Sequence, residues 1–415
     1  MNATKVELPA ECCEVVTASS CLGHNLEYGI FKSLARFLRE SGRLYSSSWE
    51  GCVSFPGRSG GVDLEVYNAA MRIALVVTQM TDENLRLAAQ VGVTDIVGRY
   101  PGPKLAQMSR LCDRVARYGM RMSVLEGYIP HGDIVCGGPQ RDYQIENVQH
   151  LLCNMAESGV EVCCYNFMPN EEWVRTSVEG TERGGAEVTA FELKQSLRGD
   201  TGSRVDSGQL WENLEYFLKQ VLPVATEMQV KMAMHPDDPP LSSFRGHDQI
   251  MHSLENFQRL LRLVDVPANG VCFCQGCFAE MGEDVPAAIR QLGARIHYVH
   301  FRDVCGCAHK FCETFHDNGQ TDMAEAMRAY HEIGFAGPMR PDHVPTLAGE
   351  TTEAEIEVPE ISDDLIDADT FNGADTPVSP GYAMRGRLFA VGYMRGLMDA
   401  ITRQECHHGK NEGAD

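Results

Sequence analysis

From residue 71 onward the chain alternates short apolar, β-branched runs with longer stretches whose apolar residues recur at helical spacing. The runs are MRIALVV (71–77), TDIVGR (94–99), MRMSVLE (120–126), VEVCCYNF (160–167), VKMAMHP (230–236), GVCFC (270–274), RIHYVHFRD (295–303) and GPMRPDH (337–343). Helical periodicity fills 82–91, 104–118, 142–158, 209–228, 252–264, 285–293 and 322–334, and a last helix is predicted near 384–403. Strand and helix alternating eight times predict an α/β fold closed into a (β/α)8 TIM barrel. A doubly wound open sheet is the runner-up, but no Gly-rich phosphate loop follows the first run.

Two segments fall outside this alternation. Residues 1–70 carry one amphipathic stretch around Leu26–Leu38 and a Ser/Gly-rich stretch from Tyr45 to Gly61, and read as an N-terminal extension. Packing on the barrel base, reaching a neighbouring subunit and covering the active-site face are all open to it. Residues 345–380 hold ten acidic side chains and no Lys or Arg. A loop of that length after the eighth strand is expected to be a functional lid or disordered, and its charge would repel an anionic substrate unless it sits away from the pocket. The expected division is therefore 1–70 extension, 71–405 barrel with the acidic insertion, and 406–415 C-terminal tail.

Charge narrows the partners. With 36 Lys and Arg against 58 Asp and Glu, the formal net charge is −22, too negative for a nucleic-acid-binding surface. No apolar run approaches the roughly 20 residues that span a bilayer. The opening MNATKVELPAECCEVV lacks a basic stretch followed by an apolar one, so the cytoplasm is the expected compartment. There the 16 cysteines are expected to be reduced, most of them serving as small buried hydrophobes. A homo-oligomer, with the extension as a partner arm, is the expected assembly.

Candidate chemistry gathers where barrel enzymes place their sites, at the C-terminal ends of the strands. His235, Cys274, His300 and Asp342 fall at the ends of the fifth to eighth predicted strands. Any one of them alone is more often a hydrogen-bonded structural residue, but four ligand-type residues at four successive strand ends share a cause if they bind one metal. Two imidazoles, a thiolate and a carboxylate suit zinc, iron(II), cobalt or manganese, and the thiolate argues against magnesium or calcium. A competing cluster, Cys274-x-x-Cys277 with Cys305-x-Cys307, has the wrong spacing in its second pair for a zinc knuckle.

At these same residues the sequence resembles the mannonate dehydratase family. KMAMHPDDPP (231–240), VPANGVCFCQG (266–276), RIHYVHFRDV (295–304), DNGQTDM (317–323) and PMRPDH (338–343) look like its successive motifs, and VCCYNFMPNEEWVRT (162–176) and GYAMRGRLFAVGYMRG (381–396) fit as well. The resemblance implies a lyase of hexuronate degradation that removes water from D-mannonate to give 2-dehydro-3-deoxy-D-gluconate with Mn2+ or Fe2+. It implies His235, Cys274, His300 and Asp342 as metal ligands and His343 and Tyr382 as the acid/base pair, in an order left open.

Around these, Arg302 and Arg340 are candidates to steer the substrate carboxylate, each two residues from an expected ligand. Tyr165 and Asn166, with Trp173 and Arg175 beyond them, are candidates to line the pocket. Asp237 and Asp238 read as partners of the ligand histidines or as turn residues before Pro239. The chain departs from the family pattern at Arg99-Tyr100-Pro101-Gly102, Cys277, Phe311-Cys312-Glu313, Gln320 and Val344-Pro345. An altered shell of this kind keeps a second expectation in play: a metal-dependent dehydratase, epimerase or isomerase for another sugar or sugar acid.

Overall fold

A computed structural model describes residues 71–169, 173–196, 204–353 and 366–408. The expected helix at Leu26–Leu38, the whole 1–70 extension and the centre of the acidic segment lie outside the described residues.

In chain order the strands are β1 Arg72–Val76, β2 Asp95–Gly98, β3 Arg121–Glu126, β4 Val162–Tyr165, β5 Ser177–Thr181, β6 Glu187–Glu192 and β7 Lys231–Met234. They continue with β8 Ser243–Phe244, β9 His247–Asp248, β10 Asn269–Cys274, β11 Ile296–Phe301, β12 Val304–Cys307, β13 Lys310–Glu313 and β14 Pro338–Pro341. Eight of these close into an all-parallel barrel in the order β1-β14-β11-β10-β7-β4-β3-β2. Each of the eight predicted runs supplies one of them, because a strand covered by helices outside and by other strands inside is apolar on both faces. The (β/α)8 TIM barrel expected from the alternation is the fold, and the open sheet is excluded by the β1–β14 pairing of Arg72 with Pro338 and Ile73 with Met339.

The crossover helices start on short polar side chains. Thr81, Asp206, Ser253, Asp284 and Asp322 each accept a hydrogen bond from the amide three residues on, which satisfies a donor the first helical turn leaves open. The last helix runs Met384–His408, so the tail expected from 406 begins inside it. No helix among the described residues is long and apolar enough to cross a membrane.

Inside the barrel, Ala74, Val76, Val97, Val124, Val162, Cys164, Ala233, Cys272 and Tyr298 form one buried cluster. The two cysteines in it pack as small hydrophobes, but of the eleven described cysteines, all free, five are buried, three half-buried and three exposed, short of the expected majority. Tyr298 carries the only phenol of the cluster, and its hydroxyl donates to Glu126 Oε2 at 2.8 Å, so the core ends upward in a hydrogen bond to the strand mouth.

Two additions were not visible in the apolar pattern. The connections after β4 and β11 pair into a four-stranded antiparallel sheet, β12-β13-β6-β5, and β8 and β9 form a small hairpin. Phe191 of β6 stacks on Phe311 of β13 with centroids 5.5 Å apart, anchoring this wall. The acidic segment is ordered at both described ends. Thr346 bridges to Glu187 of β6, and at the other end Phe371 stacks on Tyr128 with centroids 4.2 Å apart and 9° between planes. That end sits at the barrel mouth.

Candidate active site

A cavity opens at the carboxyl ends of the barrel strands, lined by Arg99, Glu126, Tyr128, Tyr165, Asn166, Trp173, His235, Asp238, His300, Arg340, Asp342, His343 and Tyr382, with Cys164 and Met168 among the rest. Of the ligand and acid/base candidates read from sequence all but Cys274 line this one space, and Arg340, Tyr165, Asn166, Trp173 and Asp238 line it with them. Cys274 lies directly behind the two histidines and Arg302 does not reach the cavity.

Side-chain donor atoms of His235, Cys274 and His300 all fall within 4.8 Å of one another, and Asp342 Oδ2 stands 3.4 Å from His300 Nδ1. The ring protons show what this arrangement is suited to. His235 Nδ1 lies 2.7 Å from the Pro236 carbonyl, which can only accept, so that nitrogen carries the proton. His300 Nε2 donates to Glu126 Oε2 at 3.2 Å. In the neutral rings this leaves His235 Nε2 and His300 Nδ1 as lone pairs facing each other across 3.2 Å. Beside them, burial alone would raise the Cys274 thiol, but the Cys277 hydrogen bond and the Arg302 guanidinium hold it well below its ordinary value, as a thiolate. Burial would lower both imidazoles, yet Glu126 and Asp342 hold His300 well above its ordinary value and Cys274 raises His235. A cation arriving here therefore displaces protons and then meets two nitrogens, a thiolate and a carboxylate, a donor set that suits it.

Glu126, at the end of β3, organises the opposite side. It accepts from Arg340 Nε at 3.1 Å and Arg340 Nη2 at 2.7 Å, from Arg99 Nη1 at 2.9 Å, and from His300 and Tyr298. Burial would raise its carboxyl, yet Arg340, His300 and Arg99 hold it well below the usual range, so it is ionised and fixes the His300 tautomer. The sequence analysis passed over this residue. The available signal was a carboxylate ending a barrel strand, the same rule that singled out Asp342.

Arg340 lines the cavity, but the carboxylates it grips are the protein's own: Glu126, and Asp342 Oδ1 at 2.6 Å. Arg302 corrects the expectation placed on it more fully. It is wholly buried, with Nε and Nη2 on Glu313 at 2.8 and 2.6 Å and Nη2 on Glu280 at 2.6 Å. Its Nη1 faces Asp238 and the sulfurs of Cys274 and Cys277, each at 3.4 Å. The reason is local: β11 ends at Phe301, so the two-residue alternation that would bring Arg302 to the face of His300 no longer applies. Asp238, Cys277 and Glu280 are themselves spaced to hold a metal, but Arg302 already fills their centre. Cys305 and Cys307 are exposed on β12, away from Cys274, which removes the four-cysteine alternative.

Neither Asp237 nor Asp238 bonds a ligand histidine. Asp238 takes Arg175 through two bonds of 2.8 and 3.0 Å, while Asp237 Oδ2 accepts the Met251 amide at 2.6 Å and burial pushes its carboxyl up to about 7. Arg175 is itself buried between Asp238 and Glu313.

His343 follows Asp342 with φ at +44°, a left-handed conformation that costs a non-glycine residue energy and turns its ring into the cavity. Trp173 and Tyr382 close on the ring edge-on, with centroids 5.1 and 5.4 Å away. Nε2 lies 3.5 Å from Arg175 Nη2, and Nδ1 is buried with no hydrogen-bond partner. Burial pushes the imidazole down to about 4, so the ring is neutral. The Tyr382 hydroxyl donates to Asp342 Oδ1 at 3.3 Å, and burial followed by the Asp342 charge pushes its phenol up, so it keeps its proton. Tyr165 lines the same cavity and its buried hydroxyl has no hydrogen-bond partner, while Asn166 Oδ1 accepts the Met168 amide at 3.3 Å.

Of the departures from the family pattern, Arg99 alone lines the cavity. Cys277 lies under Cys274, Gln320 clasps Gly306 and Ala279, Cys312 sits in the wall sheet, and Val344 packs by Gly386.

A closed parallel barrel with a cluster of metal-type donors at its carboxyl end is the arrangement of a (β/α)8-barrel enzyme. A family model described as D-mannonate dehydratase (UxuA) matches residues 80–202 and 193–357. A mannonate dehydratase of Thermotoga petrophila is 33% identical over 340 residues, 72% of this chain and 87% of that protein. Mannonate dehydratase 2 of Halalkalibacterium halodurans is 31% identical over 336 residues, 74% of this chain and 89% of its own length. The crystal structure of mannonate dehydratase from Streptococcus suis serotype 2 superposes with a TM-score of 0.68 at 28% identity, covering 81% of this chain and 96% of that one. The chain belongs to the D-mannonate dehydratase family.

Proposed function

We propose that this protein dehydrates D-mannonate to 2-dehydro-3-deoxy-D-gluconate and water. The observation that carries the reading is the meeting, in one cavity, of His235, His300 and Asp342, backed by Cys274, with a neutral histidine and a protonated tyrosine. His235, Cys274, His300 and Asp342 would hold Mn2+ or Fe2+, with Zn2+ or Co2+ also suited to the donor set. Bound there, the cation supplies positive charge that offsets the negative charge developing beside the substrate carboxylate.

The chain's own groups move the protons. His343, neutral and with Nδ1 free of protein partners, is placed to receive the C2 proton. As the C3–O bond breaks, its electron pair leaves with the hydroxyl, and the Tyr382 proton completes a water molecule. The C2–H electrons form the C2–C3 double bond, and the resulting enol rearranges to the 2-keto acid. Arg340 and Glu126 keep Asp342 and His300 oriented throughout. Cytoplasmic, homo-oligomeric protein is the working form, and light scattering on the full chain reads the assembly.

The test is an assay of purified protein reconstituted with Mn2+ against a panel of aldonic acids, following the 2-keto-3-deoxy product. Release of that product from D-mannonate supports the reading. Turnover of a different aldonate, with none from D-mannonate, sinks it and moves the chain to another sugar acid.

A further inference from the structure

Three guanidinium groups lie beside or beneath the cavity with every nitrogen engaged by protein: Arg302, Arg340 and Arg175. Their side chains are 0%, 2% and 3% exposed. Arg99 differs. Its side chain is 16% exposed into the cavity, and only Nη1 is engaged, by the Glu126 carbonyl at 3.2 Å and Glu126 Oε1 at 2.9 Å. Nε and Nη2 make no hydrogen bond to a described residue. An anion entering among Glu126, Asp238 and Asp342 therefore meets one lining guanidinium, among the described residues, with donors to give.

Arg99 is also held in place from outside the barrel. Asn372, in the acidic segment, accepts the Arg99 amide at 2.7 Å and donates to the Arg99 carbonyl at 3.1 Å. The neighbouring Phe371 stacks on Tyr128, and the Arg99 cation lies 5.7 Å from the Tyr128 ring centroid and 6.0 Å from that of Tyr382. The backbone of Arg99 is thus clamped on both polar groups while the side chain keeps a free edge, which is the preorganised form of an anion donor. The buried, unpartnered hydroxyl of Tyr165 lines the same space and suits a ligand that brings hydroxyl groups with its charge.

We propose that Arg99 is the carboxylate anchor of the substrate site and the residue that sets its preference for polyhydroxylated acids over the matching alcohols, with Asn372 as its positioning residue. The inference rests on the sugar-acid reading above and names the atom group that recognises the acid. It also gives the acidic segment a role opposite to the repulsion its charge suggests: its described end holds a cation at the mouth.

Calorimetric titration of full-length, Mn2+-loaded protein with D-mannonate and with D-mannitol tests it. Arg99→Gln is expected to weaken D-mannonate binding by about tenfold to a hundredfold, the loss of a charge-assisted bidentate contact, and to leave D-mannitol binding and metal content unchanged. Arg99→Lys is expected to recover part of the loss, and Asn372→Ala to raise KM more than it lowers kcat. Equal weakening of acid and alcohol in Arg99→Gln, unaltered D-mannonate binding, or a wild type that binds neither compound overturns the anchor. Acid preference that vanishes in Arg99→Gln without product formation keeps the anchor and removes the dehydratase reading. Product formation with an indifferent Arg99→Gln does the reverse.

Discussion

Arg340 meets Glu126 fork to fork: Nε on Oε2 at 3.1 Å and Nη2 on Oε1 at 2.7 Å, both side chains buried between β3 and β14. The pair connects the two sides of the mouth, since Glu126 also holds His300 and Arg340 also holds Asp342. Glu126→Ala removes the partner of two buried guanidinium groups and is expected to destabilise the fold by roughly 3–5 kcal/mol, read as a loss of urea midpoint. Glu126→Gln keeps the shape but turns a donor toward Arg340 or His300, and metal affinity is expected to fall by about 10- to 100-fold. A Glu126→Gln protein that competes for Mn2+ as well as wild type contradicts this account of the His300 tautomer.

Metal removal should be visible in stability as well as in content. A ligand that binds the folded state alone at about 100 times its dissociation constant adds about 2.7 kcal/mol. Dialysis against a chelator is expected to lower the thermal midpoint of wild type, with recovery on adding Mn2+. His235→Ala should start at the lowered midpoint, hold little metal by elemental analysis and gain nothing from Mn2+. A midpoint indifferent to chelator and to His235→Ala would falsify the ligand assignment.

Acid sensitivity follows from two buried imidazoles away from the donor cluster. His297, bonded to the Met232 carbonyl at 2.9 Å, and His316 are each pushed down by burial to about 4. Unfolded, both titrate near 6.5. Between those values the folded state binds fewer protons than the unfolded one, so the stability they contribute is present above about pH 6.5 and is lost as pH falls toward 4. Each shift corresponds to roughly 3 kcal/mol at full extent. Urea midpoints between pH 7 and pH 4 should fall steeply in wild type and less steeply in His297→Gln; parallel curves would remove His297 from the cause.

Gly381 supports the catalytic geometry by having no side chain. It adopts φ +89°, its carbonyl accepts the Val344 amide at 2.8 Å, and a Cβ there would sit 3.1 Å from His343 Nδ1. Gly381→Ala is expected to cost about 1–3 kcal/mol and to lower kcat more than it raises KM, because the ring it displaces is the proposed base. Steady-state kinetics on D-mannonate with a thermal melt of the same sample separate the two effects.

The barrel was legible because its strands are buried on both faces and stand out as eight apolar runs. The wall sheet was not, since SVEGT and VCGC carry glycine, polar residues or charge and present one face to solvent. His235, Cys274, His300 and Asp342 were read from strand ends, and all but Cys274 share the cavity with His343 and Tyr382. Glu126 obeyed the same rule but ended β3, which the search for ligands did not reach. Arg302 shows the opposite failure: its distance from His300 in sequence was right for a shared face, but the strand stopped one residue too early. Arg99 was marked in the sequence only as a departure from the family pattern, because its free donors are defined by what the other arginines have already taken.

Arg302 has a consequence for how selective such a mouth can be. Behind the cavity, Asp238, Cys277 and Glu280 form a second three-donor nest within a few ångströms of the first, and the guanidinium seated in it is a counter-ion that cannot diffuse away. A barrel carrying two nests would divide a scarce metal between them. By keeping this nest filled with its own side chain, the fold leaves an arriving ion to the donors around His235 and His300 at the cavity.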